Sequence, residues 1–149
     1  MYLNNLQSLI FSIIMLMIIG FVSCEKTGEK EVSYILNERI ILETGETAFL
    51  NDNNVSLYLR LNKIKDSRCP VQANCISAGS AFTEITLSNR NNNKITVSIG
   101  IGEISDFKAG NLDVKLDEHT YRITLEEVLP YPDLDDHRKQ KATFYLEKI

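Results

Sequence analysis

The sequence predicts an all-β domain, an antiparallel β-sandwich of immunoglobulin-like type with about seven or eight short strands; a small β-barrel is the alternative closure. Three observations predict it. Across residues 32–149 apolar side chains recur with a period of 2 rather than 3.6. The alternating runs are short, and clusters of Asn, Asp, Gly and Thr separate them. Each run has a single apolar face, and such a face stays in place only when a second sheet covers it.

The elements follow in order. The folded part begins near Val32–Ile35, and Arg39–Leu42 and Thr47–Leu50 flank a Thr44-Gly45-Glu46 turn. Val55, Leu57, Leu59 and Leu61 alternate with Ser56, Tyr58 and Arg60, the pattern of a half-buried strand. Thr83, Ile85 and Leu87 pair across an Asn89–Asn93 turn with Ile95, Val97, Ile99 and Ile101 in a hairpin. Gly100-Ile101-Gly102, a Gly pair within or ending that strand, reads as a bulge rather than a cofactor loop. Leu112, Val114 and Leu116 turn through Asp117–Thr120 into Tyr121, Ile123 and Leu125, and Ala142, Phe144 and Leu146 end the chain as a strand. Only Leu125–Val128 and Asp135–Lys141 have the makings of a helical turn. About 115 residues in this part suffice for one core.

The composition divides at Cys24. Residues 1–23 hold no charged side chain and all three Met, so the net charge of -4 belongs to the other 126 residues. A mildly acidic balance argues against a nucleic-acid partner, which calls for a basic face. From Leu9 to Val22 the chain is apolar for about 14 residues, the length of a signal-peptide core and short of a bilayer span. Phe21-Val22-Ser23-Cys24 resembles a bacterial lipobox, in which signal peptidase II cleaves before a lipidated Cys. Phe21 stands where Leu is usual, and the segment before the apolar run lacks Lys and Arg. The organisation expected is a lipoprotein signal over 1–23, a lipidated Cys24 with a charged tether over 24–31, and one β-sandwich domain over 32–149.

Assigning Cys24 to lipid leaves Cys69 and Cys75 as an even pair, as expected of an exported chain. Five residues separate them. A redox dithiol usually has two between its cysteines, and a structural zinc site wants four ligands, so a structural disulfide is the best reading. The run Asp66-Ser67-Arg68-Cys69-Pro70, with Cys75 and then Ala78-Gly79, resembles a motif of small exported bacterial lipoproteins common in Bacteroidetes. Gly45-Glu46 and the alternating Leu strand before the motif, and Tyr121–Leu125 and Pro130-Tyr131-Pro132 after it, extend the resemblance over most of the mature chain. It implies export, the disulfide and an all-β fold, and carries no activity. That group often has Trp two residues after the second Cys. Ser77 stands there in this chain, which predicts a loop that sits more loosely.

Candidate chemistry is sparse. Asp66, Arg68, Val71, Gln72 and Asn74 form a candidate binding loop, which requires Asp66, Arg68 and the tip to be exposed together. The competing reading has Asp66 and Arg68 satisfying the turn's own amides and carbonyls. Asp133, Asp135, Asp136 and His137 supply donors for a metal, but without the Gly and Glu positions of an EF-hand. A metal-dependent binder or enzyme would need them to converge with His119. Pro130-Tyr131-Pro132 reads as a rigid turn that accommodates a cis Tyr131–Pro132 bond. Adjacent Glu126 and Glu127 would point to opposite faces of a strand. No nucleophile elbow, metal-binding His pair or phosphate-cradling loop occurs, so no catalytic residue and no cofactor is expected.

The expectation is a non-catalytic β-domain for binding or structure, anchored through lipid in the bacterial cell envelope, on a periplasmic or surface face. Its partners would be the membrane and a protein or small molecule. An exported capture protein using the stapled loop is the alternative. Labelling free thiols in the unreduced, denatured protein should modify neither Cys69 nor Cys75. Labelling of either would remove the staple.

Overall fold

Alternation in the sequence becomes burial in the strands. The computed structural model describes residues 31–52, 55–103, 110–134 and 138–149, which form nine strands. One sheet has the order β1 (Glu31–Tyr34), β3 (Thr47–Asp52), β4 (Val55–Asp66), β5 (Ser80–Asn89) and β6 (Lys94–Gly102). The other has the order β2 (Arg39–Glu43), β9 (Lys141–Lys148), β8 (His119–Leu129) and β7 (Asn111–Leu116). The two sheets do not close into a barrel, so the sandwich and not the alternative holds. Every pairing is antiparallel except β1 with β3. Those two run parallel because the chain leaves the first sheet after β1, lays down β2 in the second, and returns as β3. The Thr44-Gly45-Glu46 turn therefore crosses between sheets instead of closing a hairpin.

Inward residues from both sheets meet in one core. Leu57, Leu59 and Leu61 of β4, Ile85 and Leu87 of β5, Ile123 and Leu125 of β8, and Phe144 and Leu146 of β9 are all buried. Both expected hairpins form. Ser88 pairs with Lys94 beside the Asn-rich turn, and Leu116 pairs with His119 around Asp117-Glu118. Asp117 takes the left-handed conformation there (φ 55°), which Asp tolerates better than most residues.

Two bulges depart from the simple pattern. In β4 the register shifts between Leu61 and Lys63. Strict alternation would turn Lys63 and Lys65 inward after Leu61; the extra residue re-phases the strand so that Ile64 packs on the core. Asp66 then shares the inner side with Ile64 and sits opposite buried Ala81. In β8 the shift falls between Leu125 and Glu127, and Leu125 and Val128 are both buried while Glu126 and Glu127 are both exposed. Leu125–Val128 is therefore strand rather than helical turn, and the two carboxylates share the outer face. Residues 138–140 have no helical structure, and β9 begins at Lys141. Asp135, Asp136 and His137 lie outside the described residues.

The Gly pair in β6 is not a bulge. Pairing with β5 runs unbroken from Ser88–Lys94 to Ser80–Gly102. Gly100 instead gives room to a ring, since a Cβ there would stand 2.6 Å from Phe82 Cδ1.

Leu59→Ala, in the middle of the core, should cost about 2–5 kcal/mol of unfolding free energy in denaturant titration. Ile41→Ala, on the outward side of β2 and half exposed, should change it by no more than about 0.5 kcal/mol. Equal costs at the two positions would contradict the assignment of faces.

Candidate functional site

The connection between β4 and β5 carries the disulfide and concentrates the polar chemistry of one end of the sandwich. Cys69 and Cys75 are bonded, with their Cα atoms 5.9 Å apart. Closing so short a loop removes about 2–2.5 kcal/mol of unfolded-state entropy in the chain-entropy picture. Backbone bonds extend the strand ladder into the loop, from Ser67 N to Ser80 O (2.8 Å) and from Cys69 N to Ala78 O (2.9 Å). A third, from Val71 N to Pro132 O (3.1 Å), ties it to the β8–β9 connection.

Beneath the loop lies an ion pair. Asp66 Oδ2 accepts from Arg68 Nη2 at 2.6 Å, and Asp66 Oδ1 accepts from Arg68 Nε at 2.9 Å and from the Arg68 amide at 3.1 Å. The two side chains are only 5% and 9% exposed. Arg68 Nη2 also donates to the Val128 carbonyl (2.8 Å), and the guanidinium stacks 4.2 Å from the centre of the Tyr131 ring. Gln140 Nε2 donates to the same Asp66 Oδ2 at 2.7 Å. Burial pushes the Asp66 carboxyl up, but the hydrogen bonds from Arg68 and Gln140 and the Arg68 charge outweigh it, so the carboxyl titrates below its ordinary value of 3.8.

The loop's far side is held by Glu103. Its carboxylate accepts from Ser77 Oγ (2.6 Å) and the Ala78 amide (3.1 Å), and the Ser77 hydrogen bond leads in lowering its pKa. Ser77, in the position expected to loosen the loop, thus fastens it through a polar contact. Gly79 is required here. It has φ 72°, and a Cβ would overlap the Ser67 carbonyl.

The candidate binding residues separate into two groups. Asp66 and Arg68 are buried and spent on each other, so the exposure that a capture loop asked of them is not met. Val71 is 71% exposed, Asn74 is exposed, and Gln72 donates to Asp133 Oδ2 at 2.8 Å. Asp133 therefore joins the stapled loop. His119 stands at the opposite end, edge-on to Tyr121 with ring centres 6.4 Å apart. Among the described residues no three His, Cys, Asp or Glu side chains converge on a metal position. The cis bond of the proline segment is Leu129–Pro130, not Tyr131–Pro132. Cys24 lies outside the described residues.

Three concave surfaces accompany these groups. A groove of about 650 Å³ at the stapled end has Leu129, Pro130 and Tyr131 on one side and Arg138, Lys139 and Lys141 on the other. A polar hollow of about 360 Å³ at the opposite end includes Asn89, Asn91, Asp117 and His119. A third, about 490 Å³, lies on the outer face of the second sheet, where Arg39 pairs with Glu126 at 2.7 Å beside Glu127 and Thr143. The sequence reading missed Gln140, Glu103 and the groove. A polar residue just before an alternating strand was the only trace of Gln140, and nothing local marks Glu103 as a partner of Ser77.

No family model matches the chain, and comparison with curated proteins and with solved structures finds no match either.

Asp66→Ala should cost about 3–5 kcal/mol, because it strands the Arg68 guanidinium without its carboxylate. The pH dependence has a definite sign. Since the folded pKa of Asp66 is depressed, its contribution is complete above the unfolded value of 3.8 and vanishes as pH falls through the lower folded value. Unfolding free energies measured against pH should therefore show wild type and Asp66→Asn converging in that acid range. A constant gap would contradict the role given to the carboxylate.

Proposed function

We propose that this chain is a lipid-anchored bacterial envelope or surface protein whose β-sandwich is a non-catalytic binding or structural domain. The observation that carries the proposal is the division of the cysteines. The chain has three, and Cys69 and Cys75 are bonded to each other. Cys24 is left without a cysteine partner, directly after an uncharged apolar segment with the features of a lipoprotein signal. A disulfide is at home in exported proteins, and the thioether of a lipidated Cys accounts for the odd thiol. The likeness of the Asp66–Gly79 motif to exported lipoproteins points the same way.

The ionisable groups support a non-catalytic reading. Among the described residues, Asp66, Glu103 and Arg122 have pKa values displaced away from neutrality, the carboxyls downward and the guanidinium upward. Acid–base catalysis needs displacement in the other direction, towards the working pH. The acidic balance speaks against a nucleic-acid partner. Capture of a protein by the loop is a second reading that rests on the exposed tip at Val71 and Asn74 alone, because Asp66 and Arg68 are engaged internally.

Mass spectrometry of the membrane fraction of expressing bacteria tests the anchor. The mature chain should begin at Cys24, carry acyl and diacylglyceryl mass there, and lose both the lipid and the membrane association in Cys24→Ala. A membrane-free chain, or one that retains Met1, overturns the proposal.

A further inference from the structure

We infer that the Cys69–Cys75 disulfide is a site of thiol–disulfide exchange in the folded protein, where an external thiol enters at Cys75 and opens the 70–76 tip while the sandwich stays intact. The inference does not depend on the anchor at Cys24.

Access is the first argument. Cys75 is exposed and Cys69 is half-buried, and a thiolate attacks the sulfur it can reach. Every residue from Val71 to Ile76 is exposed, Ile76 completely. Neither large apolar side chain of the tip, Val71 or Ile76, is therefore buried. The bonds that place the tip are polar: Val71 N to Pro132 O, Ala73 N to Pro70 O, and Gln72 Nε2 to Asp133 Oδ2.

The second argument is that the base of the loop is held without the sulfurs. Ser67 N donates to Ser80 O and Cys69 N to Ala78 O. Glu103 accepts from Ser77 Oγ and the Ala78 amide, and the Asp66–Arg68 pair fixes the floor. These contacts flank the tip on both sides, so breaking the bridge leaves the ladder between β4 and β5 in place. A loop this short also removes little entropy from the unfolded chain. The bridge thus constrains the tip far more than the fold. An exposed disulfide in that role belongs to the labile class, unlike one enclosed in a core.

The exchange balances. A thiolate attacks Cys75 Sγ, a new S–S bond forms there, and the Cys69–Cys75 bond breaks with its electron pair on Cys69 Sγ. Cys69 takes a proton from solvent. The Ala73 carbonyl, 3.5 Å from Cys69 Sγ, is in place to accept from the new S–H. A second external thiolate then attacks the entering sulfur of the mixed disulfide and releases Cys75 as a thiol. Two external thiols are oxidised to one disulfide, and the protein disulfide is reduced to two thiols.

The test treats the folded full-length protein with glutathione, quenches it in acid and digests it with trypsin. Both cysteines fall in one peptide, Cys69–Arg90, and fragment ions locate the adduct, which should be on Cys75. Reduction should run within about tenfold of its rate in guanidinium, whereas a bridge reached only through global unfolding would be slowed about 10³-fold or more. Hydrogen exchange should rise at the Val71 and Ala73 amides on reduction and stay unchanged at Leu59 and Ile123. The double variant Cys69→Ser/Cys75→Ser should fold and show the same exchange pattern as the reduced protein. An adduct on Cys69, reduction slowed to the unfolding-limited rate, or exchange that rises across the core strands overturns the inference. So does a double variant that fails to fold, because the bridge would then hold the sandwich and not the tip.

Discussion

A carboxylate and a guanidinium sit at the rim of an otherwise apolar core, and the end of the molecule is organised around keeping them satisfied. Burying two charges is costly unless their attraction and their other hydrogen bonds repay it. Asp66 and Arg68 meet that condition by reaching three parts of the chain: the Val128 carbonyl in β8, the Tyr131 ring beyond it, and Gln140 ahead of β9. The pair belongs to one sheet and these partners lie in or beside the other. Where the apolar contacts between sheets run out, this network continues the attachment and gives the disulfide loop a fixed floor.

The β4 bulge makes the pair possible. A strand that kept its period after Leu61 would turn Lys63 and Lys65 towards the core and Asp66 to solvent. One inserted residue reverses that order, leaving the lysines outside and directing Asp66 across from Ala81. The bulge in β8 does comparable work on the facing sheet, keeping Val128 buried with its carbonyl in reach of Arg68 and moving Glu126 and Glu127 outward together. The irregularities in the two long strands thus fall close to the end where the sheets are joined by polar contacts.

The two ends of the sandwich differ in chemistry. At one, a disulfide, an internal ion pair and several exposed apolar side chains occur together. At the other, the amides of Asn89 and Asn93 donate to Asp117 across the two hairpins.

The sequence by itself determined the class of fold, because a period of two can be counted residue by residue, and the two hairpins, because their turns are local. It also picked out Cys69 and Cys75, since few chemical roles suit two cysteines with five residues between them. Only the tertiary structure decided the rest. β1 pairs parallel to β3, and the turn at Gly45 passes between sheets; both depend on which edge strands are free to be covered. Glu126 and Glu127 share a face, and Asp66 and Arg68 are internal, because each bulge arises from the fit between neighbouring strands. Ser77 finds Glu103, and Asp66 finds Gln140, across separations of 26 and 74 residues. Periodicity is a property of a segment and survives in isolation. The partner of a buried charge is chosen by packing between sheets, and no segment contains that information alone.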